Sequence, residues 1–192
     1  MPGIVYVVRH GQDEDNAAGL LNGHRDTPLT ALGRAQATII AEKLLGHGIA
    51  AIYSSPLKRA HETASIIANT IGLNEVIIEP DLIEREFGIM TGKPVADIAK
   101  YSKNNFQGDK ILYFLDPQGA ETFPVLLERA KRVLHKIQTL HPTGKVVLVA
   151  HGDIGKLIRA AYHNWTWEQA IATPYLDNTG VLELEPNADV IE

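Results

Sequence analysis

Two histidines follow two short apolar runs of the sequence, and each histidine precedes a glycine. Arg9-His10-Gly11 follows the apolar residues 4–8, and His151-Gly152 follows the apolar residues 146–150. Both runs are uninterrupted and rich in β-branched residues, which is typical of buried strands in a parallel sheet. Ligands of such sheets bind outside the carboxyl ends of the strands. A histidine at each of two strand ends, one of them beside an arginine, predicts an enzyme site with a nucleophile and an anion pocket.

Helices are expected on either side of a second strand at residues 50–53. The first would begin after Thr30 as N-cap and end at Gly46 and Gly48. Its expected buried face contains Leu32, Ala35, Ile39, Ile40 and Leu44. The next helix would have Ser55 as N-cap and Pro56 at its first position.

The alternation of strands and helices continues to the end of the chain. Later strands are expected at residues 76–78, 146–150 and 181–184, and later helices after Thr122 and His151. This alternation predicts an α/β fold with helices on both faces of a mostly parallel sheet. Residues 87–118 have weaker periodicity, and we expect them to form a small lid within a single domain of residues 1–192.

Composition and charge describe an ordinary globular chain of 192 residues, with 45% hydrophobic and 21% charged residues. The net charge of -5 argues against a general role on nucleic acid or at a membrane surface. The sequence has no cysteine, which excludes disulfides and a thiol nucleophile. No apolar run approaches the length of a membrane span. The start of the chain leads directly into the first strand without a signal peptide, so we expect a cytoplasmic location.

Further motifs follow Arg9-His10-Gly11 in a fixed order. They are Leu21-Asn22-Gly23-His24-Arg25-Asp26-Thr27-Pro28, Ser54-Ser55-Pro56-Leu57-Lys58-Arg59-Ala60, Glu62-Thr63-Ala64 and Glu84-Arg85-Glu86-Phe87-Gly88. Together with the two histidines, this order resembles the histidine phosphatase superfamily, in particular its broad-specificity phosphatase branch. The resemblance covers nearly the whole chain. It implies a three-layer α/β/α sandwich, in agreement with the alternating pattern.

The resemblance implies that His10 is the nucleophile and forms a phosphohistidine, which divides hydrolysis into two easier transfers. Arg9 and Arg59 would clamp the phosphoryl oxygens, because guanidinium groups offer paired donors in matching geometry. His151 would approach from the other side and donate a hydrogen bond in the transition state. The alternatives are core histidines with ordinary hydrogen bonds and, for Arg59, a solvated charge at a helix start.

Glu84 is the expected general acid and base, since the family places this carboxylate before an aromatic residue and glycine, here Phe87 and Gly88. Glu86 is the alternative candidate for this role, because the side chains of Glu84 and Glu86 would share one face of an extended segment. The expected substrate-binding residues are Gly11, Asn16, Asn22 and Gly152. Gly11 would let the chain turn sharply beneath the phosphoryl group, whereas the two asparagines are equally compatible with ordinary loop positions.

Departures from the family pattern affect the expected substrate preference. Asp13 stands where a threonine is common, and Met90-Thr91-Gly92 stands where many relatives have Trp-Glu-Gly. The resemblance also covers Glu121-Thr122 and Arg129. Lysines and aromatic residues of the expected lid would contact the organic part of a substrate. The alternative is that the lysines are solvated and the aromatic residues belong to the core.

The expected activity is hydrolysis of small-molecule phosphomonoesters by an acid-type phosphatase. The sequence lacks a His-x-x-x-His pattern with an intervening glutamate, so we expect no metal and no cofactor. A cofactor-dependent phosphoglycerate mutase would use the same residues and return the phosphoryl group to substrate. An inactive phospho-ligand-binding module is a third alternative, and a homo-oligomer is compatible with each of them.

Overall fold

The computed structural model describes residues 3–185, and a five-stranded sheet lies at its centre. The strands of this sheet, in chain order, are β1 (Ile4–Arg9), β2 (Ile49–Ser54), β3 (Ile77–Ile78), β6 (Lys145–Ala150) and β7 (Val181–Leu184). Their spatial order is β3-β2-β6-β1-β7. The first four strands are parallel, and only β7 pairs in the antiparallel sense, with β1.

Helices cover both faces of the sheet, which confirms the predicted α/β/α sandwich. The α-helices are α1 (Glu14–Ala17), α2 (Ala31–Leu44), α3 (Lys58–Ile71), α4 (Ile98–Tyr101), α5 (Phe123–Leu140), α6 (Gly152–His163) and α7 (Trp167–Ala172). Helices α2 and α3 pack on one face, and α5, α6 and α7 pack on the other. No helix among residues 3–185 combines the length and the apolar character needed to cross a membrane.

The central strands are apolar throughout because both of their faces are buried. In β1, Val5 and Val7 point toward α5 and α6, whereas Tyr6 and Val8 point toward α2 and α3. Side chains alternate between faces along a strand, so an uninterrupted apolar run satisfies both layers.

Helix α2 has Thr30 as its N-cap, as expected, and Ile40 and Leu44 are buried as predicted, but the rest of the predicted buried face is wrong. Leu32 and Ile39 are 53% and 54% exposed, and the buried residues of the helix are Gly33, Ala37, Ile40, Ala41 and Leu44. A Cβ at Gly33 would collide with the backbone of Gln12. The close approach of α2 to the segment after β1 therefore turns small residues inward.

Two other local predictions are also corrected. Helix α3 begins at Lys58 without a side-chain cap, so Ser55 and Pro56 precede it and do not form its first turn. The segment between β1 and Thr30, for which no helix was predicted, contains the short helix α1, whose N-cap is Asp13.

Residues 87–118 form short elements that lie beside the sandwich. They comprise two 3-10 turns, α4, and the hairpin of β4 (Asn105–Gln107) and β5 (Leu112–Phe114). A small apolar cluster joins this region to the segment after β1 and contains Leu21, Phe87, Met90, Ile98 and Phe114.

The connections that follow the neighbouring strands β1 and β6 lead to opposite faces of the sheet. The helix after β1 that packs on the sheet is α2, and it lies on one face, whereas α6 follows β6 on the other face. Such a point leaves a crevice outside the strand ends, where α/β proteins bind ligands.

Candidate active site

His10 and His151 meet in this crevice. The His10 backbone N–H donates to the carbonyl of Ala150, so the ends of β1 and β6 are joined directly beside the two rings. The ring centroids lie 4.9 Å apart at an interplanar angle of 61°. Both histidines are buried. The structure therefore brings together the two histidines that the strand patterns singled out.

The hydrogen bonds of His10 leave the lone pair of Nε2 directed at Arg59. Its Nδ1 lies 2.6 Å from the Gly11 carbonyl, which can only accept, so Nδ1 carries the proton. Nε2 accepts from Nε of Arg59 at 3.2 Å. Burial, followed by the charges of Arg59 and Arg9, holds the pKa of His10 well below 6.5. His10 is therefore a neutral imidazole at neutral pH, and its Nε2 carries an unprotonated lone pair that accepts from Arg59.

Arg59 is fully buried and is not a solvated charge. Its Nη1 donates to the carbonyl of Arg25 at 2.5 Å, and its Nη2 donates to that of Gly23 at 2.8 Å. The Asp13 carboxylate lies 3.2 Å from its Nε. Burial lowers the pKa of Arg59, and the Asp13 charge acts in the opposite direction. These contacts fix the guanidinium beside His10.

Arg9 lies on the other side of the pocket and retains a free donor. Its Nη1 donates to the hydroxyl of Tyr175 and to the carbonyl of Leu176, both at 2.7 Å. Its buried Nε has no hydrogen-bond partner among residues 3–185, and neither does Nδ1 of His151. A buried donor without an acceptor costs about 1–3 kcal/mol. The arrangement therefore favours an anion between Arg9 and the histidines.

Glu84 is buried at the N-terminus of α6. One carboxylate oxygen accepts from the backbone N–H groups of Arg85 and Ile154, and the other accepts from that of Asp153. Burial, and then the Asp153 charge, raises the pKa of Glu84, although these N–H groups act in the opposite direction. A Cβ built on Gly152 would lie 3.8 Å from Glu84 Oε2 and 4.0 Å from Arg9 Nε. Gly152 thus lines the space that Glu84 and Arg9 share.

Glu86 does not share the face of Glu84, contrary to the expectation for an extended segment. Its carboxylate pairs with Nδ1 of His24 at 2.8 Å and accepts from the backbone N–H of Gly88. Its side chain is 38% exposed. These two partners turn Glu86 away from α6, so Glu84 alone of the two reaches the pocket.

An ion pair behind Glu84 holds its segment in place. Arg129 donates to the carbonyls of Ile83 and Glu84 and pairs with Glu121 at 2.6 Å. The sequence motif that includes Glu121 and Arg129 pointed to these residues without giving their task. A second pair, Arg85 with Asp153, lies next to the same carboxylate and has no recognisable sequence signal.

Hydroxyl groups that the sequence analysis missed orient both histidine segments. The hydroxyl of Ser55 lies 2.8 Å from Nε2 of His151, and that of Thr63 accepts from the backbone N–H of Gly11. Tyr175 was missed as well, since it reaches Arg9 from 166 residues away. Such contacts between distant segments have no local pattern in a sequence.

The glycine at position 11 has a different backbone role from the one expected. Gly11 is not among the residues of the described chain with a positive φ. A Cβ there would collide with the backbone of Gly33. Its missing side chain therefore permits the contact between the strand end and α2.

The two predicted asparagines occupy different places. Asn16 lines a cavity of about 250 Å³ beside Arg9, and its side-chain oxygen accepts from Asn178. Asn22 donates to Asp13 at 2.6 Å, so its side chain supports another site residue. Other residues that line the same cavity are Leu20, Val95, Lys110, Ile111 and Tyr175.

Only part of the expected lid surrounds this cavity. Lys110 lines it but pairs with Asp177 at 2.9 Å. Lys100 pairs with Asp97, and Lys93 lies over the ring of Tyr101. Of the lid aromatics, Tyr113 and Phe114 are core residues.

Within residues 3–185, no group of three or more histidine, aspartate or glutamate side chains is placed to hold a metal ion. The cations at this site are the guanidinium groups of Arg9 and Arg59.

Known proteins resemble this chain over most of its length. The sequence model of the histidine phosphatase superfamily (branch 1) matches residues 5–192. Phosphoglycerate mutase-like protein 4 of Arabidopsis thaliana is 36% identical over 82% of this chain and 69% of its own length. A metal-independent phosphoserine phosphatase of the same plant is 37% identical over 82% of this chain and 66% of its own length.

A solved structure has the same architecture. The mycobacterial glucosyl-3-phosphoglycerate phosphatase in complex with VO3 superposes with a TM-score of 0.81 at 26% identity, covering 94% of this chain and 90% of that one. The predicted family is therefore confirmed, and the chain belongs to the histidine phosphatase superfamily.

Proposed function

We propose that this protein hydrolyses phosphomonoesters of small metabolites through a phosphohistidine on His10. The observation that carries the proposal is the neutral His10, whose Nε2 lone pair accepts from Arg59 in the crevice where Nε of Arg9 has no partner among residues 3–185. A buried imidazole in this state is a nucleophile for phosphorus and needs no prior deprotonation.

In the first step, Nε2 of His10 attacks phosphorus and the bond from phosphorus to the ester oxygen breaks. Arg9, Arg59 and His151 stabilise the charge on the other phosphoryl oxygens. Glu84 donates its proton to the leaving oxygen, which departs as an alcohol. The raised pKa of Glu84 favours the protonated form that this step requires.

In the second step, Glu84 accepts a proton from water as the water oxygen attacks phosphorus. The bond between phosphorus and Nε2 breaks, inorganic phosphate leaves, and His10 returns to its neutral state. Since Glu84 must begin protonated and His10 neutral, we propose an acid-type phosphatase, active at mildly acidic pH without a metal.

The cavity beside Arg9 is the proposed place for the organic part of the substrate. Relatives named for phosphoserine and for glucosyl-3-phosphoglycerate support a small phosphorylated metabolite as substrate. We assign Asn16 and Gly152 to contact with the substrate. Gly11 supports the site through its contact with the backbone of α2, and Asn22 supports it through its hydrogen bond to Asp13. The lid at residues 87–118, the cytoplasmic location and a homo-oligomer stay predictions.

Rapid-quench measurement of the phosphoenzyme tests the proposal. Acid-labile phosphate on His10 should appear within one turnover, and phosphate should be released from p-nitrophenyl phosphate in the presence of EDTA. His10→Ala should lose activity by several orders of magnitude and keep its fold. Near-normal turnover of the alanine variant would reject the mechanism. Return of the phosphoryl group to a second site of the substrate would identify a mutase, and binding without turnover would identify an inactive module.

A further inference from the structure

A buried carboxylate lies within the proposed phosphoryl pocket and has no place in the two steps above. Asp13 is fully buried, and its Oδ2 lies 3.2 Å from Nε of Arg59. The same oxygen accepts from the side-chain amide of Asn22, and Oδ1 accepts from the backbone N–H of Asn16. Asn16 and Asn22 donate to Asp13, and Arg59, whose Nε–H is given to His10, faces it as a cation. Donors and a neighbouring cation favour the ionised form of a carboxylate.

Helix capping does not explain why this residue carries a charge. Asp13 is the N-cap of α1, but only its Oδ1 performs that task. Asparagine or threonine at an N-cap supplies an equivalent acceptor without a charge. The oxygen beside Arg59 is therefore a separate feature of the pocket.

The Asp13 carboxylate changes the net charge of the pocket around His10. The charged or titratable side chains that face the pocket or its immediate supports, besides Asp13, are Arg9, His10, His24, Arg25, Arg59, Glu84, His151, Asp15, Asp26, Glu86 and Asp153. Asp26 pairs with Lys58, and Glu86 pairs with His24. Arg25 pairs with Asp15, and Asp153 pairs with Arg85. With His10 and His151 neutral and Glu84 protonated, Arg9 and Arg59 supply two positive charges, and Asp13 cancels one of them.

A phosphomonoester passes from a monoanion to a dianion with a pKa of about 6. We propose that Asp13 sets the charge of the phosphoryl pocket, so that singly charged phosphoryl groups bind in preference to doubly charged ones. This inference rests on the proposed function, because it places the phosphoryl group between His10 and the two arginines.

Calorimetric titration with inorganic phosphate at about pH 5 and about pH 8 tests the assignment, since phosphate is mainly a monoanion at the first pH and a dianion at the second. The wild type should bind phosphate more weakly at the higher pH. Asp13→Asn and Asp13→Thr should bind it about tenfold more tightly than the wild type at the higher pH and about threefold more tightly at the lower pH, because the repulsion from Asp13 acts on two charges of the dianion and on one of the monoanion. Asp15→Asn is the matched control, since it removes a neighbouring buried carboxylate that pairs with Arg25, and it should stay within about twofold of the wild type.

Equal pH dependence in the wild type and both Asp13 variants overturns the proposal. Weaker phosphate binding by folded Asp13 variants at both pH values also overturns it, because Asp13 would then serve to hold Arg59. Absence of phosphate binding by the wild type rejects the pocket itself. Wild-type binding with the expected pH dependence but without a phosphohistidine would reject the hydrolytic mechanism and leave the role of Asp13 standing.

Discussion

Arg85 donates from Nε to the Asp153 carboxylate at 2.7 Å, and this buried pair lies directly behind Glu84. The Arg85 guanidinium is enclosed by the rings of Phe114 and Phe123, at 4.2 and 4.3 Å from its central carbon. The backbone N–H of Asp153 also donates to the Glu84 carboxylate. Arg85 therefore holds a negative charge beside the proposed acid, and that charge contributes to the raised pKa of Glu84.

Asp153→Asn should shift the pH dependence of catalysis to lower pH. Removal of the Asp153 charge lowers the pKa of Glu84, so the protonated acid is lost at a lower pH than in the wild type. Asparagine still accepts from Arg85, which preserves the buried contact. The measurement is kcat/KM for an alkyl phosphate against pH, because this ratio reports groups of the free enzyme.

A matched comparison separates this effect from a loss of structure. Asp177→Asn removes an exposed carboxylate that pairs with Lys110, and its pH profile should coincide with that of the wild type. An Asp153→Asn profile that loses height without moving along the pH axis would show that Asp153 has only a structural role.

Glu84→Gln should impair hydrolysis of alkyl phosphates by about 10²–10⁴-fold, the usual contribution of general acid catalysis. Its effect on p-nitrophenyl phosphate should be much smaller, since that leaving group departs without a proton. Glu86→Gln is the control, because Glu86 pairs with His24 outside the pocket. Steady-state kcat/KM for both substrates decides between the residues. Equal losses on the two substrates, or a larger loss at Glu86, would contradict the assignment of the acid.

The central layers were predictable because their signals are local. Residues 4–8 and 146–150 are apolar without interruption, and the structure buries both faces of these strands. The buried face of α2 was predicted correctly at Ile40 and Leu44 and wrongly at Leu32 and Ile39, which were chosen for their hydrophobicity. Contact between Gly33 and the segment after β1 excludes side chains from that side of the helix. A long-range steric constraint of this kind leaves no periodic signal in the sequence.

The two histidines and Arg9 were predictable as neighbours because parallel strands place their carboxyl ends at one edge. The supporting contacts were not. Ser55 precedes a proline and was predicted to be a helix N-cap. Its hydroxyl instead contacts His151, which lies 96 residues later in the chain. The charge at position 13 was noticed only as a departure from a family pattern, and its pairing with Arg59 became visible in the structure.

Ile111→Ala should change the relative kcat/KM of different phosphomonoesters and leave the inhibition constant of vanadate nearly unchanged. Ile111 lines the cavity beside Arg9, whereas vanadate occupies only the pocket that all monoesters share. Tyr101→Ala is the comparison, since Tyr101 is exposed and stacks with Lys93 away from the cavity lining. A panel of phosphorylated metabolites measures both variants. A uniform change in all substrates and in vanadate would show that this cavity does not select the substrate.

The stability of the protein should fall as the pH decreases below about 6.5, because His10 and His151 are buried in their neutral forms. Their pKa values are lowered in the folded state, so the unfolded chain binds more protons in this range. Each histidine should add a slope of about 1.4 kcal/mol per pH unit to the free energy of unfolding.

Urea unfolding of His151→Gln between about pH 5 and about pH 6.5 measures one of these slopes. The variant should lose roughly half of the histidine contribution. The raised pKa of Glu84 adds a slope of opposite sign in both proteins, so the difference between them isolates His151. His135→Gln is the control, since His135 is exposed on α5, and its slope should equal that of the wild type. Equal slopes in the wild type and His151→Gln would mean that His151 accepts a proton in the folded protein. A protonated His151 would contradict the charge count at Asp13, because that count takes His10 and His151 as neutral.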